Sequence, residues 1–597
     1  MLRRTHDCGT LREGDIDQTV VLAGWVDAFR SHGQGLVFVD LRDRAGVTQV
    51  VFDAEDAPPE LVEAGAKLRN EDVIAIKGAV RRRGKSNPKL PTGSIEVVVA
   101  TLEVLAKTAN PPFIPGDEEN LPAEETRLRY RYIDLRRPKM QGILRTRHRA
   151  ARVARDYFDG EGFIEIETPI LTRSTPEGAR DYLVPSRVQP GAWYALPQSP
   201  QIFKQILMVA GCDKYMQICR CFRDEDPRAD RQAEFTQIDC EMSFVDRDQV
   251  MGVMEGFVRT LWKEVLGVEV GPMDRVTYRE ALDRFGLDRP DRRFGLELVD
   301  ISDLAAKTDF RVFADALAKP TGVVKAIRVP GGADKLTRKK TDAYSEFVKD
   351  FGAGGVPVTK FTEKGIETGI ARFVEPIADE LAERLGLSAG DTVLFAADTY
   401  RVATRALGEL RLRVANDLDL IDESKWDFLW VYDFPMFEWD AEAERYHALH
   451  HPFTAPAESE TEKLLAVDPT DIAAVEGLVS DGYDMVVNGS EIGGGSIRIH
   501  RPDMQRKVFE LLGMNEREAR ERFGFLLEAL GCGAPPHGGI AFGLDRLVMH
   551  LCGTDNIRDV IAFPKTLNGA DLMMQAPAGV SPEQLEELHV KSTWTVA

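Results

Sequence analysis

Tyr215-Met216-Gln217-Ile218-Cys219-Arg220-Cys221-Phe222-Arg223-Asp224-Glu225, a charged loop reaching Arg231-Gln232, and then Glu234-Phe235-Thr236-Gln237-Ile238-Asp239-Cys240-Glu241-Met242 read as the two strands of a hairpin. Period-two alternation puts Gln237, Asp239 and Glu241 on one face and Ile238, Cys240, Met242 and Phe244 on the other. One face packs while the other presents a polar floor. Arg223 ends the first strand, a rigidly mounted guanidinium able to grip a phosphate bidentately and to stabilise charge growing on it. The plain alternative is a surface hairpin laced with salt bridges.

Around the hairpin stands a chain of 597 residues, long enough for several domains. Acids outnumber bases 97 to 76, a formal charge of −21, which argues against a polybasic coat for DNA or membranes. Any nucleic-acid contact is therefore local. At 43% hydrophobic and 29% charged residues, the composition is that of a globular chain with proper cores. No uncharged apolar run reaches the roughly 18 residues of a membrane span, and Met1 to Asp7 lack a signal-like apolar stretch, so a cytoplasmic protein is expected. The seven cysteines (8, 212, 219, 221, 240, 532, 552) are odd in number and scattered. They read as reduced packing residues rather than a disulfide frame or zinc ribbon.

Outward from the hairpin, an α+β multidomain organisation is expected. Residues 1–106 hold five short strand-like runs, such as Val20 to Val26 and Leu36 to Leu41, with a helical stretch from Glu60 to Arg69 between the third and fourth. That pattern suits a five-stranded oligonucleotide-binding barrel, or another small all-β domain. A linker covers 107–135, with Pro111-Pro112 and Pro115-Gly116 at its start. Residues 136–287 and 423–565 share one helix-and-strand style and form two parts of a single unit. Between them, 288–422 reads as an inserted domain, and 566–597 as an extension.

Other stretches concentrate chemistry. Gly543-Leu544-Asp545-Arg546 reads as a strand entering a helix through a glycine, an arrangement of amides and guanidinium suited to a polyphosphate. Asp484 to His500 reads as two strands joined by the triple-glycine turn Gly493-Gly494-Gly495, with Asp484 and Glu491 able to hold Mg²⁺ and Arg498 pointing away from Ile497 and Ile499. Ser174 to Tyr182 and Leu196 to Lys204 read as loops that line a small-molecule pocket or serve as ordinary connections. His450-His451 has no third ligand at zinc spacing and reads as part of a lid.

In this order, these stretches resemble the three motifs of class II aminoacyl-tRNA synthetases. Phe163 to Pro169 is similar to the dimer-interface motif, Phe222-Arg223-Asp224-Glu225 with Phe235-Thr236-Gln237 to the second, and Gly543 to Arg546 to the third. The finer strings Thr175 to Asp181, Gln198 to Gln201, His450 to Thr454 and Asn488 to Arg498 resemble the bacterial-type aspartyl branch (subclass IIb). The inserted domain of that branch is named for the Gly-Ala-Asp found here at 332–334.

The resemblance implies an OB-fold anticodon-binding barrel, an antiparallel catalytic sheet with helices, and a GAD insertion. It implies a homodimeric ligase using ATP and Mg²⁺ to make aspartyl-adenylate and pass the aspartyl group to tRNA. By the match, Arg223 holds the α-phosphate and substrate carboxylate, Arg546 the γ-phosphate, and Asp484 with Glu491 the Mg²⁺. Asp224, Glu225, Gln232, Glu491, Gly543, Leu544 and Asp545 place ATP. Arg498 and Lys204, oriented by Asp239, receive the aspartate side chain, with His450 nearby, while Glu177, Ser199 and Gln201 face its ammonium end. Asparagine is expected to be rejected because it leaves these cations unpaired.

In the barrel, Phe38 and Gln49 stand where the family stacks and reads anticodon bases, although alternation alone also allows Phe38 in the core. Arg81, Arg82, Arg83, Lys85 and Lys89 supply local positive charge. After Trp25-Val26 the chain departs from the family, running Asp27 to Gly35 with one extra residue. His32 and Gly84 lie in loops able to meet the third anticodon base, and His32 leans toward charging both aspartate and asparagine tRNA, the latter feeding an amidotransferase. A catalytically dead relative would have lost Arg223 or Arg546, and a tRNA-independent relative the barrel; this chain keeps all three.

Overall fold

The computed structural model describes residues 2–31, 35–175, 178–225 and 231–593. Strands Thr19–Ser31, Leu36–Asp43, Gly46–Asp53, Ile95–Ala106 and Val73–Arg82 close, in that spatial order, into a barrel. Val20, Leu22, Val37, Val39, Leu41, Val50 and Phe52 alternate inward to fill it, and helix Pro59–Ala66 adds Val62 to the same core. Five strands paired in this way are an OB-fold.

The second body is built on an eight-stranded sheet. Its order is Asp274–Thr277, Phe428–Tyr432, Gly482–Val487, Ser490–Ile497, His537–Gly543, Glu234–Ser243, Lys214–Phe222 and Ile164–Glu165. The edge pairs are parallel and the interior pairs antiparallel. One face is covered by helices Pro138–Gly160, Arg247–Leu266 and Leu544–Cys552. Proline at the first turn starts the first helix, where its missing N–H costs nothing. Asp246 and Gln249 form a capping box at the second, which ends at Gly267 with φ 71°. Phe158, Phe257, Phe542 and Phe163 interlock with ring centroids 5.0–5.3 Å apart.

Between the two halves of this sheet runs a five-stranded antiparallel sheet, Leu298–Asp300, Gly322–Val329, Thr392–Thr399, Val358–Thr362 and Gly365–Glu367, with its own cores. Helix Tyr400–Asp417 ties it back to the catalytic body. Arg411, buried on that helix, donates to the carbonyls of Asp291, Gly295 and Leu296 and stacks over Phe294 at 4.1 Å. Barrel and catalytic body are joined by charge: Arg42 donates to Glu71, which also accepts from Arg136 at 2.8 Å.

Two expectations change. The Asn488-Gly489 pair, with φ 50° and 78°, makes the hairpin turn, and Gly493-Gly494-Gly495 lies inside the following strand. Positive φ at both central residues matches the twist of a tight hairpin, which a run of glycines within a strand does not supply. Phe244 leaves the packed face, because φ 57° takes it off the strand and leaves it 69% exposed. All seven cysteines are free, and Cys8, Cys219, Cys221 and Cys240 are buried. Phe158→Ala is expected to destabilise the catalytic body by about 3–5 kcal/mol, read as a lowered midpoint in thermal unfolding followed by circular dichroism.

Candidate active site

The polar face of the sheet is organised in rows, because directly paired residues share a face. One row runs Gln217, Asp239, Ala541, Gly494 and Asp484; the next runs Tyr215, Glu241, Gly539, Ser496 and Gly482. The middle of each row is bare. A Cβ on Gly494 would lie 2.7 Å from Asp484 Oδ1, and one on Gly539 would lie 2.2 Å from Glu241 Oε2. Glycine there lets carboxylates lie flat across the sheet.

Over this floor helix Gln201–Val209 lowers Lys204, only 2% exposed, onto Asp239 at 2.6 Å and Glu241 at 3.3 Å. Arg498 arrives from the other side, donating to Glu241 through Nε (3.0 Å) and Nη2 (3.2 Å) and to Ser496 Oγ at 2.8 Å. Burial pushes Asp239 above the usual carboxylate range even beside Lys204. Burial also opposes charge on Glu241, but Arg498 and Lys204 overcome it and hold that carboxyl low. The expectation that a neutral amide leaves Lys204 and Arg498 unpaired therefore fails, since Asp239 and Glu241 already pair them.

His450 Nε2 meets Asp484 Oδ1 at 2.9 Å. Burial pulls this imidazole down, yet Asp484 raises it net above its ordinary value. His451 is driven well below its ordinary value by burial and then by Arg498, and stays neutral. Its Nδ1 accepts from the Phe453 N–H at 3.4 Å, while Nε2 and Gln201 Nε2 are buried without a partner among the described residues. Unpaired buried donors cost free energy and mark a place shaped for a polar ligand.

Beside this cluster opens a cleft of about 200 Å³ lined by Arg223, Glu225, Gln232, Phe235, Glu491, Gly543 and Arg546. Arg223 stacks 5.1 Å over Phe235, and Arg546 donates to the Glu491 carbonyl. The charge of Asp484, and then burial, raise Glu491. Two carboxylates converging over Gly494 in this way suit a shared divalent cation.

Several expected nucleotide ligands are already engaged. Asp545 uses both oxygens, on Arg147 at 2.5 Å and the Thr236 N–H at 2.8 Å, and so fixes the start of its helix to the hairpin. Leu544 packs in the helix-side core. Gln232 clamps the Lys565 backbone, accepting from its N–H at 2.8 Å and donating to its carbonyl at 3.2 Å. Asp224 faces Arg180 at 3.8 Å and Glu225 faces Arg231 at 3.1 Å. Ser199 Oγ accepts from the Gln201 N–H at 3.3 Å. Glu177 and His32 lie outside the described residues.

On the barrel, Phe38 stands outside the core, half-buried on the face of Asp40. Gln49 is buried beneath a polar ladder, donating to Glu96 at 2.7 Å and accepting from Arg30 at 3.4 Å. Gly84 is exposed. Sequence reading placed Glu241 on the polar floor and His451 in a lid without naming either as a site residue, and gave no role to Arg147. Glu241 shared the alternating face of Asp239, and His451 adjoined His450, but nothing local flagged Arg147.

A paired-carboxylate cleft on an antiparallel sheet, joined to an OB-fold, defines a nucleotide-activating enzyme with an appended nucleic-acid module. Residues 123–567 match the tRNA synthetases class II (D, K and N), and residues 20–105 the OB-fold nucleic acid binding domain, so the chain belongs to this synthetase family. It is 52% identical over 99% of its length to the Aspartate--tRNA(Asp/Asn) ligase of Aquifex aeolicus, covering 98% of that protein. It is 51% identical to the ligase of the same name from Geobacillus sp., again over 99% of this chain and 98% of the other. Solved structures share the fold: asparaginyl-tRNA synthetase from Pyrococcus horikoshii complexed with asparaginyl-adenylate, with TM-score 0.58 and 20% identity, covers 95% of this chain and 99% of its own. Aspartyl tRNA synthetase from Entamoeba histolytica has TM-score 0.56 and 20% identity, covering 92% and 89%.

His550, one turn beyond Arg546, is pushed down to about 4 by burial, with Arg546 and Arg293 adding to it. The unfolded chain binds this proton near pH 6.5, so the stability from a neutral His550 is complete above 6.5 and lost as pH falls through 4. His550→Gln is expected to remove up to about 3 kcal/mol of acid destabilisation between those limits, measured by urea unfolding at pH 4.5 and 7.5.

Proposed function

We propose that the chain activates L-aspartate with ATP and transfers it to the 3′-terminal adenosine of tRNA. The observation that carries this reading is the buried Lys204–Asp239–Glu241–Arg498 cluster, beside which donors on Gln201 and His451 have no partner among the described residues. The fixed anions orient the two cations so that their remaining N–H groups serve one more carboxylate. An amide in that place would turn donor hydrogens toward donors, a mismatch costly enough to discriminate about 10⁴-fold. Glu177, Ser199 and Gln201 face the substrate ammonium.

The α-carboxylate of aspartate attacks the α-phosphorus of ATP, displacing pyrophosphate, and the tRNA ribose hydroxyl then takes the aspartyl group. Such chemistry is positioning and charge stabilisation. Arg223, steadied on Phe235, grips the α-phosphate and carboxylate, and Arg546 the γ-phosphate. Asp484 and Glu491 fit Mg²⁺, which when bound would neutralise polyphosphate charge. Asp545 and Gln232 hold the hairpin and helix in register around the nucleotide.

The chain divides into 1–106, 107–135, 136–287, 288–422, 423–565 and 566–597, a division that the separate barrel, catalytic sheet and inserted sheet support. The enzyme works in the cytoplasm as a homodimer through the Phe163 to Pro169 stretch, whose surroundings expose Ile164, Ile170 and Leu171 at 50–55%. Phe38, Gln49, His32 and Gly84 meet the anticodon. The name shared by the relatives, Aspartate--tRNA(Asp/Asn) ligase, supports relaxed specificity, with asparagine tRNA that carries an aspartyl group passed to an amidotransferase.

Aminoacylation with ¹⁴C-aspartate of separate aspartate and asparagine tRNA transcripts tests both levels. Comparable charging of the two is expected; charging of the aspartate transcript alone would overturn relaxed specificity, and charging of neither by folded protein would overturn the enzyme. Arg223→Gln is expected to lower kcat of aspartate-dependent ATP–pyrophosphate exchange about 10²–10³-fold with unfolding unchanged.

A further inference from the structure

Cys219 and Cys221 have no part in the proposed chemistry, yet they share the polar face of the sheet. Cys219 pairs directly with Gln237, and Cys221 with Phe235, so both thiols lie in the layer that carries Asp239 and Glu241. Their Sγ atoms are 3.9 Å apart. Cys221 Sγ donates to Gln237 Oε1 at 3.1 Å, and Gln237 lines the cleft. Cys219 is 7% exposed and Cys221 fully covered, so access is through Cys219.

We propose that Cys219 and Cys221 form a dithiol site for trivalent arsenic, able to disable the active site from within its floor. The groups around it explain why this chemistry and not oxidation or alkylation. The neighbouring thiol, burial and Asp239 hold Cys219 far above the ordinary thiol range. Thiolate is scarce, so single-thiol reactions are slow. A disulfide is also disfavoured: residues two apart on an extended strand sit near 6.6 Å between Cα atoms, at the far end of the range a disulfide spans. Trivalent arsenic takes two sulfurs without closing an S–S bond, and the second sulfur adds as an intramolecular step.

With an organoarsenic oxide, two S–H bonds break, two As–S bonds form, and the two protons leave with the oxide oxygen as water. Arsenic remains trivalent and nothing is oxidised. The bridged atom and its substituent then stand on the strand face beside Gln237 and Asp239. Gln237 loses the hydrogen bond from Cys221, and Asp239 is crowded where it holds Lys204 at 2.6 Å.

Phenylarsine oxide added to the full-length protein, followed by a wash in excess 2-mercaptoethanol, tests the site by intact mass and by aspartate-dependent ATP–pyrophosphate exchange. The wash strips adducts held by one sulfur, including any on exposed Cys532. One equivalent is expected to remain on the unaltered protein and to leave with 2,3-dimercaptopropanol. Exchange should fall at least ten-fold and return with that dithiol. Cys219→Val and Cys221→Val, each folded by circular dichroism, should retain no adduct. Equal retention in either variant would overturn the site, as would a retained adduct with undiminished exchange. The activity arm rests on the aspartate-activation reading and the mass arm does not, so an unmodified protein without exchange would indict that reading alone.

Discussion

Two buried cations laid on two buried carboxylates, Lys204 and Arg498 over Asp239 and Glu241, set the terms for everything nearby. Charges so deeply buried are tolerated only when they are paired and hydrogen-bonded. The pairing demands that four side chains, from one helix, one strand and the residue just past a second strand, converge within hydrogen-bond distance. The sheet supplies this by stripping side chains from its centre. Gly494, Gly539 and Ala541 leave a trough, and the acids on either side lie down into it. The helix layer on the opposite face, dense with phenylalanine, keeps the sheet rigid enough for the trough to hold its shape.

The same cluster explains why neighbouring polar atoms are left unsatisfied. Asp239 and Glu241 consume the charge of the cations but not all of their hydrogens, and Gln201 and His451 add two buried donors that have no partner among the described residues. A site built in this way is strained toward an acceptor-rich guest. It recognises charge by hydrogen-bond polarity rather than by leaving a bare cation for the guest to neutralise, which is the point on which the sequence expectation of unpaired cations went wrong.

Alternation along Glu234 to Met242 was enough to find the polar floor, and the five short runs before residue 107 were enough to find the barrel. Both rest on period-two patterns that survive into the folded state. What alternation could not show is the distance between elements remote in the chain. Arg147 reaches Asp545, and the Lys565 backbone reaches Gln232, because a helix and a tail happen to cross the hairpin. Neither carries a local signal. The triple glycine was misread for a related reason: in one dimension glycines say turn, and only the pairing of three strands shows that they say close approach. Phe244 followed the alternation until its backbone turned to positive φ, a change no composition reveals.

The strand order carries a consequence for how the protein is made. In the finished sheet, Glu234–Ser243 has His537–Gly543 as its neighbour. On a ribosome that neighbour emerges some 300 residues later, about 15–60 s at ordinary elongation rates. Through that interval the nascent hairpin presents an open edge, with Asp239 and Glu241 lacking Arg498. The barrel is complete by residue 106 and the inserted sheet by residue 399, so both can mature while the catalytic sheet waits. A half-made sheet with an unpaired edge and two acids sharing a single lysine is the state in which a chain most needs shelter.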